Sequence, residues 1–472
     1  MALTSKPSIA GVLPAQSIAD PLPRIDSREM AERRRLNLIA ILTFGAGVVF
    51  RYWWLFHFHP AVNYIYSDMK MYVDSAAQLL DPKYTPSIAD TVYPPGNSMF
   101  LAATMLLDPS LHLAMSLNFI ISIAIPLIVG AVARELFGWR VALWSIVVMS
   151  VYYPVIDLAG FFMSENPFIF LLNLSLLLLL LSLRPAGAWR SAALAFVAGL
   201  LLSCAIQFKG QAVMPGFLIA LFLLYAGWRL KWKQVGVVYA GVTLGVFLVL
   251  IPMTMRSTRL NEGRFCFVST NGAMNFLLGH CPDTGTIVFN DTVRGFEHTF
   301  TPPPFAEKRN PWVETLPFGA YDSKKVMELA WQRVMQHKFE AFCLGVDQIF
   351  ELFVGFAPWP SGGTEYRRLA ILSQQLFQVL LLLPAGIHCA LNWRSFLRRE
   401  PAFMADIVVL LPIIGLIVTS FLTFGEARYR VPFDSFIILL ALRFYTRRTV
   451  KIDNIFTRAA ELARPGFSAP IS

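Results

Sequence analysis

The sequence predicts an all-α polytopic membrane protein of about ten transmembrane helices, with juxtamembrane helices and a small cap segment on the extracytoplasmic side. Three observations carry this. Apolar stretches of bilayer length recur along the chain, basic residues cluster at every second boundary between them, and 56% of the 472 residues are hydrophobic against 15% charged. The formal charge of +10 does not point to nucleic acid, because Lys and Arg lie in short clusters beside apolar runs, where topology signals and anionic-lipid contacts belong.

Residues 1–36 are polar and end in Arg33-Arg34-Arg35, as expected of a disordered cytoplasmic tail. The run from Leu36 to Phe58 is too long for a signal-peptide core and has no small-residue cleavage pattern behind it, so it reads as the first span. Further apolar stretches fall at about 112–133, 141–156, 166–183, 191–207, 212–228, 235–253, 369–392, 404–423 and 431–446. Segments 37–253 and 369–446 then form two transmembrane modules, the first carrying a large outer loop over 59–111. Residues 254–368 form an extracytoplasmic cap, and 447–472 a second cytoplasmic tail.

Orientation follows from the short loops. Arg134 with Arg140, Arg184 with Arg190, Arg229 with Lys231 and Lys233, Arg394 with Arg398 and Arg399, and Arg443 with Arg447, Arg448 and Lys451 share the side of Arg33 to Arg35. The opposite face receives the loop around Asp68, the stretch Asp157 to Glu165, Phe208-Lys209-Gly210, the cap, and Gly425 to Arg430. Residues 341–357 are apolar, but Asp347, Glu351 and Pro358-Trp359-Pro360 suit a helix lying on the outer surface, and counting it as a span would invert the Arg394 cluster. The cap combines turn signals at Asn271-Gly272, Pro282 to Gly285 and Pro302 to Pro304 with a helical pattern from about Asp322 to His337. The chain shows no internal repeat, which removes support for an inverted-repeat transporter.

Asp68 is the first catalytic candidate, because a carboxylate at the mouth of a membrane bundle is costly without a partner or a task. On a helix starting near Ser67, the expected N-cap, Asp68, Tyr72 and Ala76 share one face. Glu165, at the outer start of another span in Met163-Ser164-Glu165-Asn166-Pro167, supplies a second acid at the same depth. Paired carboxylates divide general-base and ligand roles in glycosyl chemistry, although a helix-start acid is also simply favoured by the dipole. Lys209, Arg256, Arg259, Arg428 and Arg430 lie on the acid-bearing face against the positive-inside bias. They suit an anion such as a lipid phosphate, or else headgroup contact and ion pairs with Glu426 and Asp434. Arg51, inside the outer half of the first span, must snorkel, pair, or reach the same anion. His57 and His59, flanked by Phe58 and Pro60, read as an interfacial belt ahead of a metal pair. The five cysteines form no CxxC or metal spacing; Cys266 and Cys281 fall together in the cap and leave a disulfide open.

Asp68 with Tyr72 and Ala76, then Tyr93-Pro94-Pro95-Gly96, Ser164-Glu165-Asn166, Ser269-Thr270-Asn271-Gly272 to Gly279, and Gly425-Glu426-Ala427-Arg428-Tyr429-Arg430-Val431-Pro432 resemble, in order, the GT-C polytopic glycosyltransferases. The branch they look most like is that of the protein O-mannosyltransferases and aminoarabinose transferases. The resemblance runs from about residue 37 to 446 and implies a GT-C fold that transfers sugar from a polyprenyl-phosphate donor to an extracytoplasmic acceptor: a glycolipid, a polysaccharide or a protein. Asp68 matches the family's first-loop acid, its general base, and Glu165 a later acid at a helix start. On the same reading Lys209, Arg428, Arg256 and Arg51 meet the phosphate, and Tyr72, Tyr93, Tyr429 and Arg430 line the substrate site. Many relatives carry two adjacent first-loop acids, whereas Ser67 and Met69 flank Asp68 here, which leaves dependence on a divalent cation open. A bacterial inner membrane with the site facing the periplasm is the expected setting. A transporter or flippase for an anionic lipid is the competing class, and a structural subunit without chemistry a third.

Overall fold

The computed structural model describes residues 27–184, 187–229, 235–281, 286–291, 296–300, 313–355, 364–398, 400–446 and 456–457. Both predicted tails lie mostly outside these residues. So do the turns expected at 282–285 and 302–304, Pro358-Trp359-Pro360, and Lys231, Lys233, Arg399, Arg447, Arg448 and Lys451, which the sequence assigns to the cytoplasmic side.

The helices are α1 (Ser27–Trp53), α2 (Ser67–Leu80), α3 (Gly96–Met105), α4 (His112–Phe137), α5 (Trp139–Val151), α6 (Tyr153–Ala159), α7 (Glu165–Ser182), α8 (Ala188–Phe208), α9 (Val213–Arg229) and α10 (Val235–Leu260). The cap follows with α11 (Asn271–His280), strands β1 (Thr286–Asp291), β2 (Phe296–Phe300) and β3 (Val313–Leu316), α12 (Ser323–Gln336) and α13 (Lys338–Val354). The chain closes with α14 (Thr364–Phe377), α15 (Leu383–Arg398), α16 (Pro401–Leu422), α17 (Ala427–Arg430) and α18 (Asp434–Thr446).

This is an all-α polytopic membrane architecture. Eight helical stretches among the described residues are long and apolar enough to cross a bilayer, and α5 with α6 makes a ninth if a pair bent by 54° counts as one span. The bend falls where Pro154, which has no N–H to continue the ladder, opens α6 after the extended Tyr152. The remaining predicted span, 431–446, is a 3-10 turn and the 13-residue α18. At about 1.5 Å per residue it is short for a crossing, and its apolar character is that of a core helix buried on every side.

Small residues set the closest helix contact. A Cβ on Gly199 or Gly245 would run into the backbone carbonyl of Val242 or Phe196, so α8 and α10 approach backbone to backbone. The largest apolar core joins α4, α5, α7, α8, α9, α16 and α18. A second, around Met69, Tyr72, Ala76, Leu101, Phe161 and Phe162, fixes the first loop on the segment before α7.

In the cap, α12 begins where predicted, with the Asp322 side chain accepting from the Lys325 N–H. The three strands were not foreseen. They form a sheet of order β2-β1-β3, antiparallel for β1 with β2 and parallel for β1 with β3, and bury Ile287 and Phe289 against α11 and α12. Strands of four to six residues leave too short an alternation to read from sequence. Helix α13 is not among the candidate spans; it buries Ala341, Gly345, Gln348 and Leu352 while exposing Phe339, Phe342, Phe350 and Val354. Cys266 and Cys281 are both buried and no disulfide joins them, so the bridge left open by the sequence is not formed.

Candidate active site

The first loop is seated by two contacts that its sequence motif provides. Gly96, last residue of Tyr93-Pro94-Pro95-Gly96, has no room for a Cβ, which would lie 2.6 Å from the Gln207 carbonyl oxygen. The amide and hydroxyl of Thr270 donate to the Thr91 carbonyl at 2.7 and 3.2 Å. The loop is thereby pressed against the end of α8, two residues from Lys209, and tied to the start of the cap.

Helix α2 then presents Asp68. Ser67 is not its N-cap: Tyr66 takes that position, and Ser67 is the first helical residue, with φ +50° and no side-chain cap bond. A non-glycine residue in the left-handed region is strained, and here it stands directly before the candidate base.

The segment before α7 is held by asparagines. Asn97 donates to the Phe162 carbonyl, Asn118 to the Phe161 carbonyl, and Asn166 to the Asn118 carbonyl, each at 3.0 Å. Polar side chains in the otherwise apolar α4 and α7 were the available signal for this scaffold.

Asp68 and Glu165 converge on Arg428. Its Nη1 lies 3.0 Å from Asp68 Oδ2, and its Nε lies 3.5 Å from Glu165 Oε1 and 3.7 Å from Glu426 Oε2. Lys209 Nζ pairs with Glu165 Oε1 at 2.9 Å. Tyr429 receives both cations on its ring, Lys209 at 4.7 Å and Arg428 at 5.4 Å from the centroid. Tyr72 and Tyr93 meet edge to face at 5.9 Å beside Asp68. Of the two acids only Asp68 is open to solvent, its side chain 25% exposed against 1% for Glu165.

Electrostatics follow from burial. Desolvation lowers Lys209 from the usual lysine value against the pull of Glu165. Burial works against the charge of Arg428 too, but Glu426, Asp68 and Glu165 together hold it well above the usual arginine range. Tyr429 is pushed up to about 12 by burial, against the opposing charge of Arg428. Burial and then Asp68 raise both Tyr72 and Tyr93, keeping them neutral donors.

Three candidates do not join the cluster. Arg51 is buried and serves as a rivet between helices, its Nε donating to Ser122 at 2.9 Å and its terminal nitrogens to the carbonyls of Gly47, Met149 and Ser150. The desolvation cost that singled it out is offset by those acceptors, which take four of its five N–H donors. Arg430 turns away from its neighbour Arg428, donating to Asp434 at 2.9 Å, Gln374 and the Leu352 carbonyl, with Phe377 beneath it at 3.8 Å. Arg256 lies near Tyr84 at the end of α10 and forms no ion pair among the described residues. His59 is buried in an aromatic stack, 4.4 Å from the Tyr64 ring.

The acids that a divalent cation would require are already turned onto a guanidinium. Among the described residues no three His, Cys, Asp or Glu form a metal-binding group, so the donor set does not fit a divalent ion. Glu426, inside the Gly425 to Pro432 motif, was legible only as a pairing partner, and its place on Arg428 makes it part of the site.

No family model matches the chain, and no curated protein matches it. Among solved structures it is similar to the Archaeoglobus fulgidus oligosaccharyltransferase in the apo form, at 12% identity and TM-score 0.49, covering 90% of this chain and 54% of that chain. It is also similar to the archaeal oligosaccharyltransferase AglB from the same organism in complex with an inhibitory peptide and a dolichol-phosphate, at 12% identity and TM-score 0.47, covering 92% of this chain and 52% of that chain. The chain thus spans about half the length of these structures. Likeness at this identity and TM-score says nothing of chemistry, which has to come from the residues.

Proposed function

We propose that this membrane protein is a glycosyltransferase of the GT-C type, moving a sugar from a polyprenyl-phosphate donor to an acceptor hydroxyl on the extracytoplasmic side, in a bacterial inner membrane with the site towards the periplasm. The observation that carries it is the convergence of a solvent-reachable Asp68 and a buried Glu165 on one guanidinium, with Lys209 beside them.

Two cations facing three carboxylates leave the cluster one negative charge in excess, so it does not hold an anion as it stands. A donor phosphate arriving at Arg428 competes with Asp68 for Nη1. Its binding releases the carboxylate, and Asp68 becomes a free base only when a donor is present. Asp68 then takes the proton of the acceptor hydroxyl as its oxygen attacks C1. The C1–O bond to the phosphate breaks, and the phosphate leaves as an anion stabilised by Arg428 and Lys209. Glu165, almost fully buried, positions both cations. Tyr72 and Tyr93, kept protonated, are placed to donate to sugar oxygens or stack on the ring.

The test is sugar release from a panel of synthetic polyprenyl-phosphate sugars by the purified protein, with Asp68→Asn in parallel and melting as the check of fold. Turnover of one donor that vanishes in the folded variant supports the transferase and names the sugar. Donor binding without turnover, equal in both proteins, transfers the assignment to lipid transport.

A further inference from the structure

Arg428 stands on α17, a helix of four residues, and a single helical turn cannot fix its own place. Helix α13 holds it at both ends. Ala341, Gly345, Gln348 and Leu352 share the buried face of α13. From this face Gln348 Oε1 accepts from the Gly425 N–H at 2.9 Å, and one turn further on the Leu352 carbonyl accepts from Arg430 Nη1 at 3.3 Å. The two bonds fall on either side of Arg428 in the chain.

Gln348 is a polar residue buried in this contact, and both ends of its amide are engaged. Its Nε2 donates to the Gly279 carbonyl at 3.5 Å, in the last turn of α11. Gly425 lies outside any helix, so its N–H has no ladder carbonyl, and the Gln348 side chain satisfies it instead. Backbones close on one another around this amide. A Cβ on Gly425 would run into the Gln348 carbonyl, one on Gly279 into the Thr423 carbonyl, and one on Gly345 would come to 3.1 Å from the Phe421 carbonyl. The turn from Thr423 to Gly425 is thus packed against both α11 and α13, and the Gln348 amide bonds to the turn on one side and to α11 on the other.

The guanidinium of Arg428 is shared among Asp68, Glu165 and Glu426, so no single pair fixes it. Once a donor phosphate displaces Asp68, its direction depends more heavily on where the backbone of α17 lies. Tyr429, whose ring carries Lys209, sits on the same turn. A shift of about 1 Å there displaces the support of both cations, and misplacement on that scale costs on the order of 10²-fold in rate.

We propose that Gln348 is a positioning residue for the phosphate site: its amide fixes the turn before α17 and, through that turn, the place of Arg428. This rests on the transferase assignment and adds to it the cap helix on which the leaving-group cation is mounted. Gln348 acts through Arg428 and touches neither phosphate nor sugar.

Two variants of the full-length protein in nanodiscs test this. Gln348→Met keeps the length of the side chain and removes both hydrogen bonds, whereas Gln348→Glu, protonated or not, keeps an acceptor for the Gly425 N–H. Amide hydrogen exchange over residues 423–430 needs no donor. The wild type protects Gly425, Gln348→Met speeds exchange there about tenfold or more while melting within a few degrees of the wild type, and Gln348→Glu restores the protection. With a working polyprenyl-phosphate sugar, Gln348→Met raises donor KM and lowers kcat, together about 10²-fold in kcat/KM, and leaves acceptor KM unchanged. Gln348→Glu recovers most of that loss, a rescue that a general loss of packing would not show. Rapid exchange at Gly425 in the wild type, unchanged exchange or wild-type turnover in folded Gln348→Met, acceptor KM rising by the same factor as donor KM, or no recovery in Gln348→Glu overturns the proposal. Exchange that follows Gln348 in a protein that turns over no donor supports the anchoring of Arg428 and sinks the transferase assignment instead.

Discussion

Arg428 Nη1 and Asp68 Oδ2 stand 3.0 Å apart although 360 positions separate them in the chain, so the motif near the end of the chain closes on the one in the first loop. The pair is bonded and partly exposed, and Arg428 is also held by the buried Glu165, which leaves Asp68 as the group that can move. Asp68→Asn is therefore expected to keep the fold, since the amide still accepts from Arg428, and to lose about 10²–10⁴-fold in transfer rate, the range for removal of a general base. A variant that folds and turns over donor at the wild-type rate would remove Asp68 from the mechanism.

Lys209 and Glu165 make the opposite prediction, because their pair is buried. Removing either partner leaves an uncompensated charge and costs about 3–5 kcal/mol, whereas replacing both with apolar groups of similar volume costs much less than the sum. A double-mutant cycle with Lys209→Met and Glu165→Leu, followed by melting, is expected to show coupling above about 1 kcal/mol. Additive losses would mean that Arg428 alone satisfies Glu165.

The lowered titration of Lys209 gives a pH signature. In the unfolded chain the lysine keeps its proton to about 10.5, while the folded protein releases it earlier. Between those two points the unfolded state binds more protons, so this residue makes stability rise with pH there. Transfer falls over the same window, as a cation facing the leaving phosphate is lost. Lys209→Arg should carry the alkaline limb of the rate profile upward; an unchanged limb would assign it to another group.

Much of this site was legible in the sequence, and the misses share a cause. Asp68, Glu165, Lys209 and Arg428 stand out because charged residues at helix mouths are costly and few. Arg51 and Arg430 stand out for the same reason, yet they spend that charge on carbonyls, Gln374 and Asp434 inside the bundle. One-dimensional sequence gives the cost of a buried charge but not the partner that offsets it. The short strands of the cap depend on contacts made only when distant segments meet.

Arg51 can be separated from the catalytic group by experiment. Arg51→Met strands the acceptors of Ser122, Met149 and Ser150, and loss of hydrogen bonds from a charged donor costs about 1.5–3 kcal/mol each where the partner stays buried. The melting temperature should fall while the folded fraction keeps its kcat and donor KM. A raised donor KM at full stability would return Arg51 to the phosphate site.

Gly96 links fold to chemistry most directly. Gly96→Ala drives a methyl group to 2.6 Å from the Gln207 carbonyl, an atom of the α8 backbone that has no rotamer to escape into. Overpacking of this kind costs about 1–3 kcal/mol, and the strain is relieved by lifting the first loop away from the end of α8. That motion separates Asp68 from the turn that carries Lys209. Transfer should then drop by more than stability alone explains, measured as kcat per folded molecule. Gly210→Ala is the control, since a Cβ there meets nothing within 4 Å although it adjoins Lys209 itself. If both variants lose activity equally, the turn tolerates no side chain for some other reason; if only Gly96→Ala does, the close contact at Gln207 is what sets the distance between base and cation.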